Sequence, residues 1–335
     1  MVDAPEIPTS LAGYRVVGLL GQGTFSRVYH VVREGGRGFS KELALKVVSP
    51  DVPVTDDVRR MFADEARIGS HLHHRNIVAV HEYAADGRPW ILMDLVEGLD
   101  LRILLRRLRA RGLWLPVSSA VEVAVQVLDG LQHAHARRRD DGLPLGIVHR
   151  DLNPGNVLIS DDGCVKIADF GLARDGGTGD TQPGMTRGTA RFMSPEQARG
   201  VELDGRSDLF SVGTLLYVML TGRLPFVGAN DREVMKAVAR AQFRPVQLGR
   251  PQVPDGVARA VHRLMAPSPA SRYPTARDAA EALAEAFDAH ALGRSGRELG
   301  LLVRKAAVVV EEQTSEFDGP GVRYGDSLPE VPPSD

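Results

Sequence analysis

Two glycines, a lysine and a glutamate in the first quarter of the chain could together bind phosphate. The segment Gly21–Ser26 follows an apolar run, and its glycines would let the backbone approach phosphate oxygens and donate N–H groups to them. A strand follows this loop rather than a helix, which disfavours the loops that place phosphate at a helix N-terminus. A plain hairpin and a hairpin lid over a nucleotide both remain open.

Lys46 and Glu65 favour the nucleotide lid. Lys46 lies inside the apolar run Leu43–Val48, although a lysine in a strand usually faces solvent. Glu65 interrupts the apolar stripe of a predicted helix, and a half-buried carboxylate is unfavourable unless a cation pairs with it. One arrangement explains all three signals, namely a Lys46 side chain that meets Glu65 and a bound phosphate.

Three strands and a helix must position these residues. The strands are predicted at Tyr14–Leu20, Arg27–Glu34 and Leu43–Val48, separated by glycine-bearing turns, and they form an antiparallel meander. Thr55 is the predicted N-cap of the helix, because acidic residues follow it in the first turn. The helical stripe consists of Val58, Phe62, Glu65, Gly69 and Leu72.

Gly69 lies on the inner face of that helix and has no side chain to pack there. We expect a gap at Gly69, at a cost of about 1 kcal/mol relative to alanine. A loosely packed helix would make the pairing of Lys46 with Glu65 conditional.

From about residue 100 onward the pattern becomes helical. Ser119 and Glu122 have the spacing of a capping box, and Ser207–Leu220 is apolar almost all round, which predicts a helix buried in the middle of a lobe. Arg102–Arg111 carries five arginines in an amphipathic stretch. That pattern is typical of a solvated helix face, with an acidic docking partner as the alternative.

Composition excludes several classes of protein. The 335 residues include 41 Lys and Arg against 43 Asp and Glu, with 43% hydrophobic and 25% charged residues. These values are ordinary for a globular protein, and a net charge of −2 offers no bulk field for nucleic acid or anionic membranes. The single cysteine, Cys164, excludes an internal disulfide framework, and neither Met1–Leu11 nor Leu301–Val310 is typical of a signal peptide or a membrane span. We expect a cytoplasmic protein with no membrane segment and no nucleic-acid partner.

One continuous segment carries the decisive motif. It reads Val148-His149-Arg150-Asp151-Leu152-Asn153-Pro154-Gly155-Asn156-Val157-Leu158-Ile159, and Ala168-Asp169-Phe170-Gly171 follows. With the glycine loop, Lys46 and Glu65 in the same order, this set resembles the eukaryotic-type protein kinase family. The insertion Arg137–Leu145 is similar to that of bacterial Ser/Thr kinases of the myxobacterial type.

The resemblance implies a bilobal α+β fold, with a small antiparallel β lobe that carries one key helix and a larger, mainly α-helical lobe. It covers residues 14–292, divided near residue 95 into an N-lobe and a C-lobe. Residues 1–13 form an N-terminal extension, and residues 293–335 form a C-terminal extension that we expect to be helical and then disordered.

The resemblance also implies ATP and Mg²⁺ as cofactors and assigns the reacting residues. Asp151 takes the position of the catalytic base, while Lys46 pairs with the α- and β-phosphates and is anchored by Glu65. Asn156 and Asp169 take the positions that hold Mg²⁺, which prefers such hard oxygen donors. Further positions fall at the nucleotide: Leu20, Gly21, Gly23, Ser26, Val28, Ala44, Met93 at the gate of the adenine pocket, Asp94 and Val96 as its backbone partners, and Asp100 at the ribose.

Downstream motifs indicate a protein substrate. Gly188-Thr189 and Ser194-Pro195-Glu196 resemble the end of an activation segment, and Asp208 and Arg272 fall at positions that support it, with Arg272 paired to Glu196. Arg150 precedes Asp151, and such an arginine is matched to a phosphorylated activation segment. The candidate phosphorylation sites are Thr178, Thr181 and Thr186, and self-association would allow one copy to phosphorylate another.

Besides Gly69, two positions depart from the family pattern. Asn153 stands where most Ser/Thr kinases carry a lysine that contacts the γ-phosphate, and Ser26 replaces the third glycine of the loop. An asparagine can still donate a hydrogen bond to a phosphate oxygen, so we expect an active serine/threonine kinase. The alternative is a nucleotide-binding pseudokinase that acts as a signalling scaffold. Phosphate transfer to a small molecule is disfavoured by the long activation segment.

Overall fold

Alternating apolar residues in the first part of the chain form an antiparallel sheet. The computed structural model describes residues 8–139, 141–170, 189–288 and 296–308. The strands pair in the order β1-β2-β3-β4-β6-β5. Their bounds are β1 Ser10–Leu11, β2 Tyr14–Gln22, β3 Ser26–Glu34, β4 Ser40–Val48, β5 Val80–Ala84 and β6 Trp90–Asp94. The predicted meander is confirmed as β2, β3 and β4, each slightly longer than expected.

The two faces of this sheet pack differently, because successive strand residues point to opposite sides. On β4, Leu43 and Leu45 pack against the tyrosines of β2 and β3, whereas Ala44 and Val48 face the other way. The second face is covered by α1, Asp56–Gly69. Lys46 has the same parity as Ala44 and Val48, so β4 directs it toward α1.

Helix α1 begins as predicted. Thr55 is its N-cap, and its side-chain oxygen accepts a hydrogen bond of 3.3 Å from the backbone N–H of Val58. The expected gap at Gly69 is wrong, because Val80 of β5 fills the space, and a Cβ on residue 69 would come within 2.5 Å of Val80 Cγ2. Gly69 therefore allows a close approach between helix and sheet.

The second lobe is mainly helical. A short sheet, β7-β8-β9, lies at its boundary with the first lobe, formed by Gly98–Asp100, Val157–Ser160 and Val165–Ile167. The helices are α2 Leu101–Ala110, α3 Val117–His135, α4 Pro195–Arg199, α5 Arg206–Thr221, α6 Asp231–Arg240, α7 Val246–Gly249, α8 Asp255–Leu264, α9 Ala276–Asp288 and α10 Gly296–Val308. Helix α5 is buried between α3 and α8, as its apolar circumference predicts.

The predicted capping box is wrong. Helix α3 starts two residues before Ser119, with Pro116 at its N-cap and no side-chain cap. Ser119 therefore lies inside the first turn, and its buried hydroxyl has no hydrogen-bond partner in the described part of the chain. Proline favours the N-terminus of a helix because its φ is preset and it needs no N–H acceptor.

None of the helices that the structure describes is long and apolar enough to cross a bilayer. The segment expected to be disordered after residue 313 lies outside the described residues.

Candidate active site

Lys46 and Glu65 form the ion pair that the sequence predicts. Lys46 Nζ donates to Glu65 Oε1 at 2.7 Å, and both residues are buried. A second bond joins Lys46 Nζ to Asp169 Oδ1 at 2.9 Å. The sheet lobe, α1 and the segment after β9 therefore meet at one ammonium group.

Burial and charge oppose each other at this cluster. Burial alone would lower the pKa of Lys46, but Asp169 and Glu65 raise it above its ordinary value. For Asp169, burial would raise the pKa, and Lys46 holds it below the usual range instead. Burial raises the pKa of Glu65 to about 7, against the lowering effect of Lys46. Lys46 thus keeps its charge between two carboxyl groups.

Asp208 of α5 positions the loop that carries Asp151. Its carboxylate accepts hydrogen bonds from the backbone N–H groups of His149 at 2.9 Å and Arg150 at 3.0 Å, and it lies 2.8 Å from His135 Nε2. Arg150 has a φ of 66°, a left-handed conformation that is unfavourable for a residue with a Cβ. The two bonds to Asp208 hold the backbone in this conformation and so set the direction of Asp151.

Asp151 has one engaged and one unpartnered carboxylate oxygen. Oδ2 accepts from Asn156 Nδ2 at 3.2 Å, whereas the buried Oδ1 has no hydrogen-bond partner among the described residues. Burial raises the pKa of Asp151 to about 6, although His149 and Asn153 lower it. A carboxylate with a free oxygen and a pKa near neutrality is suited to accept a proton.

Asn153 organises the turn that follows Asp151. Its Oδ1 accepts from the backbone N–H of Gly155 at 2.8 Å, and its Nδ2 donates to the backbone oxygen of Asp151 at 3.1 Å. Asn153 is thereby the N-cap of the 3₁₀ turn Pro154–Asn156. The amide nitrogen carries a second N–H, so the predicted contact with a phosphate oxygen remains a prediction.

Asp169 reaches Lys46 because its backbone turns sharply. Its φ is 61°, and the preceding Ala168 carbonyl lies 2.9 Å from His149 Nε2. The rings of His149 and Phe170 are 4.6 Å apart. The side chain of His149, a residue without a predicted role, links the Asp151 loop to the Asp169 segment. Its position directly before Arg150 in the motif is the signal that could have identified it.

Three of the positions assigned to the adenine lie on neighbouring, hydrogen-bonded strands of one sheet. Ala44 of β4 pairs with Met93 of β6, and Val28 of β3 pairs with Lys46. Ala44 and Met93 belong to one buried apolar cluster, against which Val28, Val96, Leu158 and Ala168 pack. Sequence reasoning missed Leu158 and Ala168, which line this cluster from the C-lobe. Their places in the two motifs, two residues after Asn156 and directly before Asp169, are the sequence signal that could have identified them.

The glycine loop connects β2 and β3. Gly23 N–H donates to the backbone oxygen of Ser26 at 2.8 Å. A Cβ on residue 21 would meet no atom within 4 Å, and one on residue 23 would meet only Ser26 at 3.6 Å or more. The fold itself therefore does not require glycine at these two positions. Leu20 at the same end of β2 is 51% exposed.

Two acidic residues at the edge of the cleft already have partners. Asp94 Oδ1 lies 2.6 Å from His81 Nε2, and the backbone N–H of Asp94 donates to Ala79. Asp100 is the N-cap of α2, where Oδ1 accepts from Ile103 N–H at 2.7 Å and Oδ2 pairs with Arg102 at 3.1 Å. Both carboxylates are therefore engaged within the protein.

Asn156 and Asp169 could hold a metal ion jointly with phosphate oxygens. Asn156 Nδ2 donates hydrogen bonds to Asp151. The Asn156 Oδ1 oxygen is therefore the atom that could bind a metal ion. Among the described residues, no group of three His, Cys, Asp or Glu side chains could bind a metal by itself. Two protein oxygens without a closed cage fit Mg²⁺, which keeps waters and uses phosphates as its remaining ligands.

The supporting pair predicted at Glu196 is present. Arg272 Nη1 and Nη2 donate to the two Glu196 carboxylate oxygens at 2.6 and 2.8 Å, and Ser207 Oγ donates to Oε1 at 2.7 Å. A bond missed by sequence reasoning runs from Gln197 Nε2 to the backbone oxygen of Arg150 at 2.7 Å. The threonines Thr178, Thr181 and Thr186 lie outside the described residues.

The sequence around this site matches one family of known proteins. The protein kinase domain family matches residues 14–285. The chain belongs to the protein kinase family. The predicted two-lobed α+β kinase fold is therefore confirmed.

Similar curated proteins are bacterial kinases. The chain is 33% identical over 87% of its length to the tyrosine-protein kinase MasK of Myxococcus xanthus, covering 45% of that protein. It is 39% identical over 75% of its length to the serine/threonine-protein kinase PknL of Mycobacterium tuberculosis, covering 59% of it. It is 31% identical over 83% of its length to the serine/threonine-protein kinase PrkC of Bacillus subtilis, covering 41% of it. The kinase chain thus spans about half the length of the curated relatives it matches.

Proposed function

We propose that the protein is a serine/threonine protein kinase that transfers the γ-phosphoryl group of ATP to Ser or Thr hydroxyls of proteins. One observation carries this proposal. Lys46 is held by Glu65 and Asp169, while Asp151, close enough to Asp169 for their charges to interact, has an unpartnered buried oxygen. Several relatives are named serine/threonine-protein kinases, which supports this acceptor class over tyrosine.

The reacting groups are Asp151, Asn153 and Lys46. The acceptor hydroxyl donates its proton toward Asp151 Oδ1, and its oxygen forms a bond to the γ-phosphorus. The bond between that phosphorus and the ADP oxygen breaks, and ADP leaves with the electron pair. Asn153 donates its second amide N–H to a γ-phosphate oxygen, while Lys46 neutralises charge on the α- and β-phosphates.

Mg²⁺ bound by Asn156 and Asp169 would supply charge neutralisation at the triphosphate. Asp169 lies 2.9 Å from Lys46 Nζ, so the residue proposed for the metal and the residue proposed for the phosphates are already adjacent. The amide nitrogen of Asn156 is bonded to Asp151, which leaves the Asn156 oxygen for the metal ion.

The adenine would lie between Val28 and Ala44 above and Leu158 below, with Met93 at the back. Asp94 offers its backbone carbonyl oxygen, since its N–H is already bonded to Ala79. Val96 offers its backbone, and Asp100 would meet the ribose. Leu20, Gly21, Gly23 and Ser26 would cover the triphosphate, with no side chain at two of these positions to exclude it.

Regulation through the activation segment is part of the same proposal. Phosphate on Thr178, Thr181 or Thr186 would bind Arg150, which is held beside the Asp151 loop. Self-association of two copies would allow this modification in trans. We place the unit at residues 14–292 in the cytoplasm, which agrees with the free thiol of Cys164, and the net charge of −2 argues against a nucleic-acid partner.

Transfer of labelled phosphate from ATP and Mg²⁺ to the protein itself and to a generic basic protein tests the proposal. Asp151→Asn should abolish incorporation, whereas Asp255→Asn, at an exposed position on α8, should leave it unchanged. Equal incorporation by the wild type and Asp151→Asn would overturn the mechanism. Nucleotide binding without any transfer by the wild type would instead indicate the pseudokinase.

A further inference from the structure

Helix α10 packs against the C-lobe. It follows, in sequence, the residues that match the kinase family. Leu299, Val303 and Ala306 are buried against α2, α3, β7 and β8. Gly163 and Gly300 mark a backbone contact, because a Cβ on residue 163 would lie 1.8 Å from the Gly296 oxygen and one on residue 300 would lie 2.5 Å from the Asp161 oxygen. The point at which the chain leaves α10 is therefore fixed.

The C-terminal end of α10 lies next to α2, which carries several arginines. Arg107 Nη1 donates to the backbone oxygen of Ala306 at 2.9 Å. Burial lowers the pKa of Arg107, and the neighbouring positive charges of Arg106 and Arg111 add to this effect, while Asp100 opposes it. The α10 end thus lies in a region of unbalanced positive charge.

Three exposed arginines form a stripe on α2. Arg102, Arg106 and Arg109 stand at i, i+4 and i+7, so they share one face of the helix. Helix α2 contains no acidic residue, and only Arg102 of the three has a carboxylate partner, Asp100. Within the described residues, Arg106 and Arg109 form no hydrogen bond or ion pair. The arginine stripe is therefore a cationic surface on which two of the three guanidinium groups have no anionic partner among the described residues.

The chain that follows α10 has the complementary charge. Residues 309–318 carry Glu311, Glu312, Glu316 and Asp318 and contain no Lys, Arg or His. Helix α10 ends at Val308, and extended chain from there reaches at most about 10 Å to Glu311 and about 34 Å to Asp318, whereas Arg102 lies only about 7.5 Å along the helix axis from Arg107. Every arginine of the stripe is within reach of this segment.

We propose that the acidic segment Glu311–Asp318 binds the arginine stripe of α2. Tethering favours this occupant over a separate acidic peptide, because a short linker gives an effective concentration in the millimolar range. Arg102, at one end of the stripe, has its guanidinium carbon 4.0 Å from the Cβ position of Gly155, in the loop that follows Asp151. The bound segment would therefore run along the lobe toward the catalytic loop. Binding of the segment to the stripe does not depend on phosphate transfer by the protein.

Disulfide trapping in the full chain tests the contact. In a Cys164→Ser background, which removes the single native cysteine, Ala110→Cys on α2 and Gln313→Cys preserve every charge of both partners. Under mild oxidation we expect rapid cross-linking, and a rate about tenfold lower when the four acidic residues become Gln or Asn, or in 1 M salt. Ala270→Cys with Gln313→Cys, at an exposed site near α9, should cross-link slowly throughout. An unchanged rate in the neutralised chain would overturn the proposal.

A binding measurement distinguishes the chain's own segment from an external partner. A labelled peptide of residues 309–320 should bind the neutralised chain about tenfold more tightly than the wild type, because the wild-type segment competes for the stripe. Arg106→Gln with Arg109→Gln should abolish this binding. Equal affinity for the wild-type and neutralised chains would show that the stripe is open to an external acidic partner, and it would refute docking of the segment. Neither measurement depends on catalysis. The docking proposal can therefore fail without affecting the proposed kinase activity, and the reverse also holds.

Discussion

Lys46 Nζ lies 2.7 Å from Glu65 Oε1 and 2.9 Å from Asp169 Oδ1, so one buried ammonium on β4 joins α1 to a residue that follows Lys46 by 123 positions. The two bonds connect the sheet lobe with the catalytic segment of the C-lobe. The relative position of the lobes is thus held in part by a single cation, together with the backbone bonds that join Asn76 and Val78 to Ile167.

Replacing that cation should affect both stability and transfer. Lys46→Met leaves two buried carboxyl groups without their partner, so we expect a loss of about 3–5 kcal/mol in the free energy of unfolding and at least about a hundredfold loss of phosphate transfer. Urea denaturation and labelled transfer measure the two effects. Lys41→Met, at an exposed position on the same strand, should change neither. Normal stability of Lys46→Met would contradict the buried ion pair.

The pH dependence of transfer should report Asp151. Its pKa of about 6 means that the carboxyl is protonated below that pH and cannot accept the hydroxyl proton. We expect kcat/KM to fall about tenfold per pH unit below pH about 6 and to level off above it.

Glu65 also has a pKa near neutrality, about 7, so a variant must separate the two groups. Glu65→Gln should lower the rate and retain the acid limb near pH 6. Disappearance of that limb in Glu65→Gln would assign it to Glu65 and not to Asp151.

Asn153 should matter beyond its contribution as a cap. Asn153→Ala removes the bond to Gly155 N–H and should cost about 1 kcal/mol, as should Asn230→Ala at the N-cap of α6, where the side chain accepts from Glu233 N–H. Only Asn153→Ala should also reduce kcat, by about tenfold or more, because a proposed phosphate donor is lost. Equal kcat values in the two variants would restrict Asn153 to its structural role.

The Glu196–Arg272 pair should be a strong determinant of stability. Arg272 is fully buried at its side chain, so Arg272→Met leaves the Glu196 carboxylate buried without its cation, and we expect a loss of about 3–5 kcal/mol. Arg206→Met breaks the exposed pair with Asp204 and should cost no more than about 1 kcal/mol. Similar unfolding midpoints in urea for the two variants would show that burial does not distinguish these pairs.

The packing of α10 against the C-lobe should depend on glycine at position 163. Gly163 and Gly142 both have φ above 80°, but only a Cβ on residue 163 would collide with α10. Gly163→Ala should therefore speed tryptic cleavage at Arg304 and Lys305 by about tenfold, since local unfolding exposes them, while Gly142→Ala should not. Equal cleavage rates in both variants would indicate that α10 is not held by this contact.

Local sequence patterns predicted several elements of both lobes well. The meander, the Thr55 cap and the buried helix α5 depend on residues close together in sequence, whose periodicity reflects which face is buried. The Glu65 stripe even predicted a cation, because the cost of burying a carboxylate is independent of the fold that buries it. The order of motifs identified the kinase family.

Tertiary structure decided what depends on residues far apart in the chain. Val80 fills the space beside Gly69, Pro116 displaces the cap expected at Ser119, and Asp169 joins Lys46 through a left-handed turn. Packing distances and the choice between competing caps are set by neighbours that periodicity does not reveal. The sequence by itself thus determined the family and the types of the reacting residues. Only the three-dimensional structure decided which oxygen of Asp151 is unpartnered, and that α10 ends beside Arg107 of α2, because both follow from contacts between distant segments.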